Sequence, residues 1–142
     1  EGRKRALDGL ATFANYADEL GLRLYLEPIN RYETNLINTI EQGLAALQEV
    51  GAANISLLAD TFHMNIEDVD MAGSLRAAGK RLGYLHLADS NRQAPGSGHT
   101  DFGPLLAALR DMGYKGFLTA EIIPVPDDFT AAQRFAQFFQ TS

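Results

Sequence analysis

The feature that most constrains this chain is its alternation of helical-period segments with short apolar runs. Leu7, Leu10, Phe13, Ala14, Ala17 and Leu20 recur at helical spacing, and Gly21 stops the run. Residues 22–26 follow, short and apolar as a buried strand should be. Thr39-Ile40-Glu41-Gln42 has the Thr-x-x-Gln form of a capping box, with Leu44, Leu47 and Val50 behind it and Gly51 as the stop. Residues 55–59 read as a second strand, about 69–78 as a helix ending at Gly79, and 82–87 as a third strand. Asp101 is placed to cap a helix carrying Leu105, Leu106, Leu109 and Met112, stopped by Gly113. Residues 117–123 read as a fourth strand, and Asp127 or Asp128 opens a last helix with Ala131, Phe135, Phe138 and Phe139. A helix followed by four alternations of this kind predicts an α/β fold, a parallel sheet covered by helices. No fixed-period repeat favours a solenoid. The longest irregular stretch, 89–100, contains Asn91, Pro95, Gly96 and Gly98, and loops of that length in compact domains are usually functional.

Composition narrows the function classes. At 142 residues, 46% apolar and 21% charged, the chain suits one domain with a buried core. No stretch approaches the ~18 uninterrupted apolar residues of a membrane span. The net charge of −6 repels phosphate, so no nucleic-acid partner is expected. With no cysteine there is no disulfide framework, thiolate metal site or cysteine nucleophile. The start, Glu1-Gly2-Arg3-Lys4-Arg5, lacks the apolar region of a signal peptide, which makes the cytoplasm the default expectation. It also lacks an initiator Met, as expected of a chain that begins inside a longer one.

Each predicted strand ends in a metal-ligating residue type. The first runs into Glu27 and the second into Asp60; the third carries His86 near its end, and the fourth reaches Glu121. Parallel α/β sheets bind ligands at the carboxyl ends of their strands, so the four groups are expected on one rim. Three carboxylates and an imidazole repel and desolvate one another there unless they take up protons or a cation. The donor set suits a hard or borderline divalent ion, Mn²⁺, Mg²⁺ or Co²⁺, better than zinc, which usually takes more His or Cys. A single acid at a strand end is most often a helix cap or a surface ion-pair partner; four in succession point to a metal site. Nearby, Asn30, Arg31 and Glu33, in a polar run after Glu27, are candidates to hold a substrate. His63 falls three residues after Asp60, and Arg92 sits in the long loop. His63 reads first as a substrate contact, whereas composition alone would pair Arg92 with a surface acid. Asp101 reads as a cap, His99 as a loop residue, and Asp89 should alternate away from His86.

The segments Leu26-Glu27-Pro28-Ile29-Asn30-Arg31-Tyr32-Glu33, Asp60-Thr61-Phe62-His63-Met64-Asn65 and His86-Leu87-Ala88-Asp89-Ser90-Asn91-Arg92, with Ala120-Glu121, resemble the xylose isomerase-like TIM-barrel superfamily. Within it they are similar to the ketose 3-epimerases, the tagatose/psicose epimerase group. The resemblance departs at Ile122-Ile123, where Pro-Phe is common, and at Ala88-Asp89-Ser90. It implies one metal, usually manganese, held by Glu27, Asp60, His86 and Glu121, with Glu33, His63 and Arg92 contacting a sugar near its carbonyl end. It also implies epimerisation of a ketose or keto sugar acid at C3 through a metal-stabilised enediolate, with Glu27 and Glu121 exchanging acid and base roles. The alternatives are a polyol-ketone dehydratase, an endonuclease IV-like metal hydrolase and a non-catalytic metal-binding fragment. A complete (β/α)₈ barrel takes about 250 residues. The expectation is therefore one partial barrel domain over 1–142, holding strands 5–8 as a C-terminal half-barrel. Either two copies pair, as a homo-oligomer, or a missing N-terminal half completes the barrel.

Overall fold

In a computed structural model of the chain, which describes residues 1–141, the four strands run parallel in the order β1-β2-β3-β4. The elements are α1 (Gly2–Glu19), β1 (Leu24–Leu26), α2 (Ile40–Val50), β2 (Ile55–Asp60), α3 (Thr61–Glu67), α4 (Met71–Ala78), β3 (Leu82–Leu87), α5 (Phe102–Asp111), β4 (Phe117–Ala120) and α6 (Asp128–Thr141). Sequential neighbours joined by helical crossovers give the α/β architecture expected from the alternation, a portion of a barrel rather than a closed one.

Local signals place the elements. Thr39 Oγ1 accepts the Gln42 N–H at 3.1 Å, while Gln42 Oε1 reaches back to the Asn38 N–H at 2.7 Å, so the box closes one residue before the cap. Gly51 ends α2 in the left-handed region at φ 72°, where a side chain would be strained. Asp70, Asp101 and Asp127 each accept a backbone N–H at the start of α4, α5 and α6.

Two strand boundaries and one additional helix differ from expectation. β1 begins at Leu24, because the Leu22 N–H still closes the end of α1 on Ala17 O at 2.8 Å. β4 stops at Ala120, which pairs with Leu87, the last residue of β3. Beyond it the Ile123 N–H turns to the carbonyl of Arg92 in the long loop, at 2.6 Å. The helix α3, directly after β2, has no apolar period of its own in the sequence; Asp60 starts it as its cap.

Period-two alternation sorts the strand residues into two faces. Ile55, Leu57 and Ala59 of β2 and Leu82, Leu85 and Leu87 of β3 are buried against α2, α4 and α5, together with Ile40, Leu47, Leu75, Leu105 and Leu109. Each such side chain contributes about 1.5–3 kcal/mol by leaving water. Leu82 and Leu85 share this face although three residues apart, because the β2–β3 register slips between Leu57 and Leu58. The extra residue is Gly83, where a Cβ would lie 2.6 Å from the Tyr25 ring and 2.7 Å from Ser56 Cβ. The slip turns Tyr84 and His86 to the other face. There Tyr84 packs between Tyr25 and Phe117 at ring separations of 5.5 and 5.7 Å, below His86. Tyr25 and Phe117 are exposed.

Candidate metal centre

Glu27 follows the last residue of β1, Asp60 ends β2, His86 lies one residue inside the end of β3, and Glu121 follows β4. All four sit in the phase of the Tyr25–Tyr84–Phe117 face, opposite the buried leucines. Their ligand atoms lie within 4.8 Å of one another. His86 Nδ1 is 2.9 Å from Glu121 Oε2, 3.7 Å from Asp60 Oδ2 and 3.8 Å from Glu27 Oε1. Asp60 divides its two oxygens: Oδ1 accepts the Phe62 N–H at 2.7 Å and caps α3, leaving Oδ2 for the cluster. The helix-cap and ligand readings of this residue are thus compatible.

Two buried oxygens in the cluster, Glu27 Oε1 and Asp60 Oδ2, have no hydrogen-bond partner among the described residues. Buried carboxylate oxygens left bare are costly, and here both face an imidazole nitrogen and a third carboxylate. Burial first, and the charge of Glu121 second, push the Glu27 carboxyl up to about 7. Burial and then the adjoining Glu121 carboxyl push Asp60 up to about 8. Glu121 is also raised by burial, but the Asp60 carboxyl beside it, His86 and Arg92 outweigh this and hold it below its ordinary value. Without a cation the cluster therefore resolves its charge conflict by retaining protons on Glu27 and Asp60 near neutral pH. A convergent set of three carboxylates and one imidazole nitrogen fits a divalent ion of the oxygen-preferring or borderline class.

The other candidate residues surround this cluster. His63, on α3 and 3% exposed, places Nε2 3.9 Å from Glu27 Oε1. Burial, followed by the positive charge of Arg92, lowers its pKa, which favours the neutral ring. Arg92 adopts a left-handed backbone at φ 58°, unusual for a residue with a Cβ. This directs its guanidinium over the Phe62 ring, 4.7 Å from the centroid, with one nitrogen 3.3 Å from Glu121 Oε2 and another 3.8 Å from Glu33 Oε1. Arg92 thus reaches the cluster instead of a remote surface acid. Asp89 supports that placement: fully buried, it accepts the N–H groups of Ser90, Gly96 and Thr100 and pins the long loop to the end of β3.

All seven singled-out residues, Glu27, Glu33, Asp60, His63, His86, Arg92 and Glu121, are therefore linked in one neighbourhood. Arg31 is not among them, for it forks onto Glu67 at the surface. His99 pairs with Ser90 at 3.0 Å. Sequence reasoning missed Phe62, inside the second motif, which supports Arg92, and read as a possible substrate contact Asn30, which is 2% exposed and hydrogen-bonded within the protein. Their only sequence signal was position inside the strand-end motifs.

Comparison with known proteins identifies the family and the fold. The family described as xylose isomerase-like TIM barrel matches residues 1–139. The L-ribulose 3-epimerase of Methylomonas sp. (strain DH-1) is 46% identical over 121 residues, 85% of this chain and 42% of that protein. The D-psicose 3-epimerase of Agrobacterium fabrum is 38% identical over 117 residues, 82% of this chain and 40% of that protein. The crystal structure of D-allulose 3-epimerase from Methylomonas sp. in complex with D-allulose superposes with a TM-score of 0.92 at 37% identity, covering 98% of this chain and 55% of that one. The chain spans about two fifths of the length of the curated relatives it matches. With its parallel sheet and strand-end cluster, it belongs to the xylose isomerase-like TIM barrel family.

Proposed function

We propose that this chain carries the metal and acid–base half of a sugar epimerase that inverts a ketose or keto sugar acid at C3. The observation that carries the reading is the convergence of Glu27, Asp60, His86 and Glu121 within 4.8 Å, with two bare buried oxygens directed into it. Those four residues would hold one divalent cation, Mn²⁺ in the first instance. When bound, the cation would supply Lewis acidity for the sugar's carbonyl and neighbouring hydroxyl oxygens.

The protein's own groups would do the rest. Glu27 and Glu121 stand on the two outer strands, with Asp60 and His86 between them. One outer carboxylate removes the C3 proton, and the other returns a proton to the opposite face of the planar intermediate. His63, Arg92 and Glu33 line the approach and would hold the carbonyl end and its hydroxyls. Arg92 lies between Glu33 and Glu121 and so ties the substrate-holding residues to the acid–base pair.

We read the four strands as strands 5–8 of an eight-stranded barrel, on the resemblance at the strand-end motifs. The exposed Tyr25 and Phe117 on the inner face favour a further wall there, either the other half of the barrel or a second copy of this chain. The experiment is a Mn²⁺-supplemented assay over a panel of ketoses and keto acids in D₂O, read by NMR. Deuterium incorporated at C3 with epimer formation is the expected result. Glu27→Gln and Glu121→Gln should each lower turnover by orders of magnitude, more than they weaken sugar binding. Undiminished C3 exchange in both variants would overturn the two-base scheme. Loss of water from the sugar would favour the dehydratase reading, and cleavage of phosphodiesters the hydrolase one.

A further inference from the structure

We infer that Asn30 is a positioning residue that sets the tautomer of His63, keeping the ring proton on Nε2 so that a hydrogen-bond donor faces the cluster. Asn30 is 2% exposed and His63 3%, so water cannot satisfy their polar atoms. The orientation of the Asn30 amide follows from its partners. Its Oδ1 accepts the Tyr32 N–H at 3.0 Å, and its Nδ2 lies 2.9 Å from Glu33 Oε1, a carboxylate oxygen that only accepts. The amide nitrogen is therefore the atom 2.8 Å from His63 Nδ1, and it presents its second hydrogen there. The Asn30 backbone N–H points at the same ring nitrogen from 3.4 Å.

Two donors on Nδ1 require that it be the acceptor. A protonated Nδ1, in the other neutral tautomer or in the imidazolium, would set N–H against N–H in a buried site. The remaining proton of the neutral ring is then on Nε2, 3.9 Å from Glu27 Oε1, one of the two bare buried oxygens. The same amide holds the Glu33 carboxylate, so one side chain with every polar atom engaged orients two of the groups around the cluster. The tautomer follows from this chain alone. Its consequence for turnover, a neutral donor offered to a substrate oxygen, rests on the epimerase reading.

The test is two-bond ¹H–¹⁵N correlation NMR of the metal-free, sugar-free chain, whose three histidines are assigned with a His63→Gln variant. The expected spectrum shows His63 with an unprotonated-type Nδ1 and a protonated-type Nε2. Asn30→Asp places an acceptor where Nδ2 stood, so Nδ1 should gain the proton and its signal should move to the protonated type. Asn30→Ser, a smaller change should the aspartate variant fail to fold, leaves only the long backbone contact and should mix the two tautomers. A protonated Nδ1 in the unaltered chain would overturn the inference, as would an unshifted His63 in a folded Asn30 variant. None of these signals depends on sugar turnover, so failure of the epimerase reading leaves the tautomer result standing.

Discussion

A cation entering this cluster has to displace protons, which makes the pH dependence of its affinity a quantitative test of the geometry. In the proposed metal site the acids are needed as carboxylates, yet burial and the neighbouring Glu121 carboxyl hold Glu27 up to about 7 and Asp60 up to about 8. Glu121, kept below its ordinary value, is already ionised at neutral pH and contributes no further proton. Treated as independent, the two raised acids are ionised together in about one molecule in a thousand at pH 6 and about one in two at pH 8. These two acids alone should therefore raise the apparent Mn²⁺ affinity about 500-fold across those two units, and themselves release about two protons per cation at pH 6 and about 0.6 at pH 8. Calorimetric titration of the chain at both pH values, each in two buffers of different ionisation heat, reads affinity and proton count together. An affinity that changes less than about tenfold, with no buffer-dependent heat, would refute the picture of carboxyls protonated by crowding. Asp60→Asn serves as the control: it removes the higher of the two acids and one ligand, and should lose both the tight binding and most of the pH slope.

The same shifts set the stability of the metal-free chain. Because both folded-state values lie above the ordinary 4.5 of Glu27 and 3.8 of Asp60, the folded form binds more protons than the unfolded one. Their contribution is fully present below those ordinary values and is lost progressively as pH rises from there, completely once it has passed about 7 and 8, so the denaturation midpoint should fall across that whole interval and recover with Mn²⁺. Arg92→Ala removes a charge that lowers both Glu27 and Asp60, and should steepen the pH dependence, lowering the Mn²⁺ affinity at pH 6 relative to that at pH 8 in the same titration. Leu85→Ala, at a fully buried position of β3, should cost about 2–5 kcal/mol in denaturant unfolding. Gly83→Ala should cost about 1–3 kcal/mol by forcing a methyl against Tyr25 and Ser56, and should disturb the cluster by moving His86.

The periodicities determined the order of every element but α3, and with it the parallel architecture, because apolar spacing and caps such as Thr39, Asp101 and Gly51 act within a few residues of one another. The residue at each strand's end was legible for the same reason: alternation assigns a face, and in parallel sheets the carboxyl ends share one rim. Tertiary structure alone decided three things. It divided the oxygens of Asp60 between a helix cap and the cluster, a choice set by where β2 meets α3. It brought Arg92 to Glu121 through a left-handed backbone and a loop held by buried Asp89, contacts across a long loop that no local pattern encodes. And it buried Asn30 and set it against His63, thirty-three residues away. Those outcomes depend on which groups lose water together when the chain closes, and the cost of leaving a buried polar atom unpaired is decided only in three dimensions.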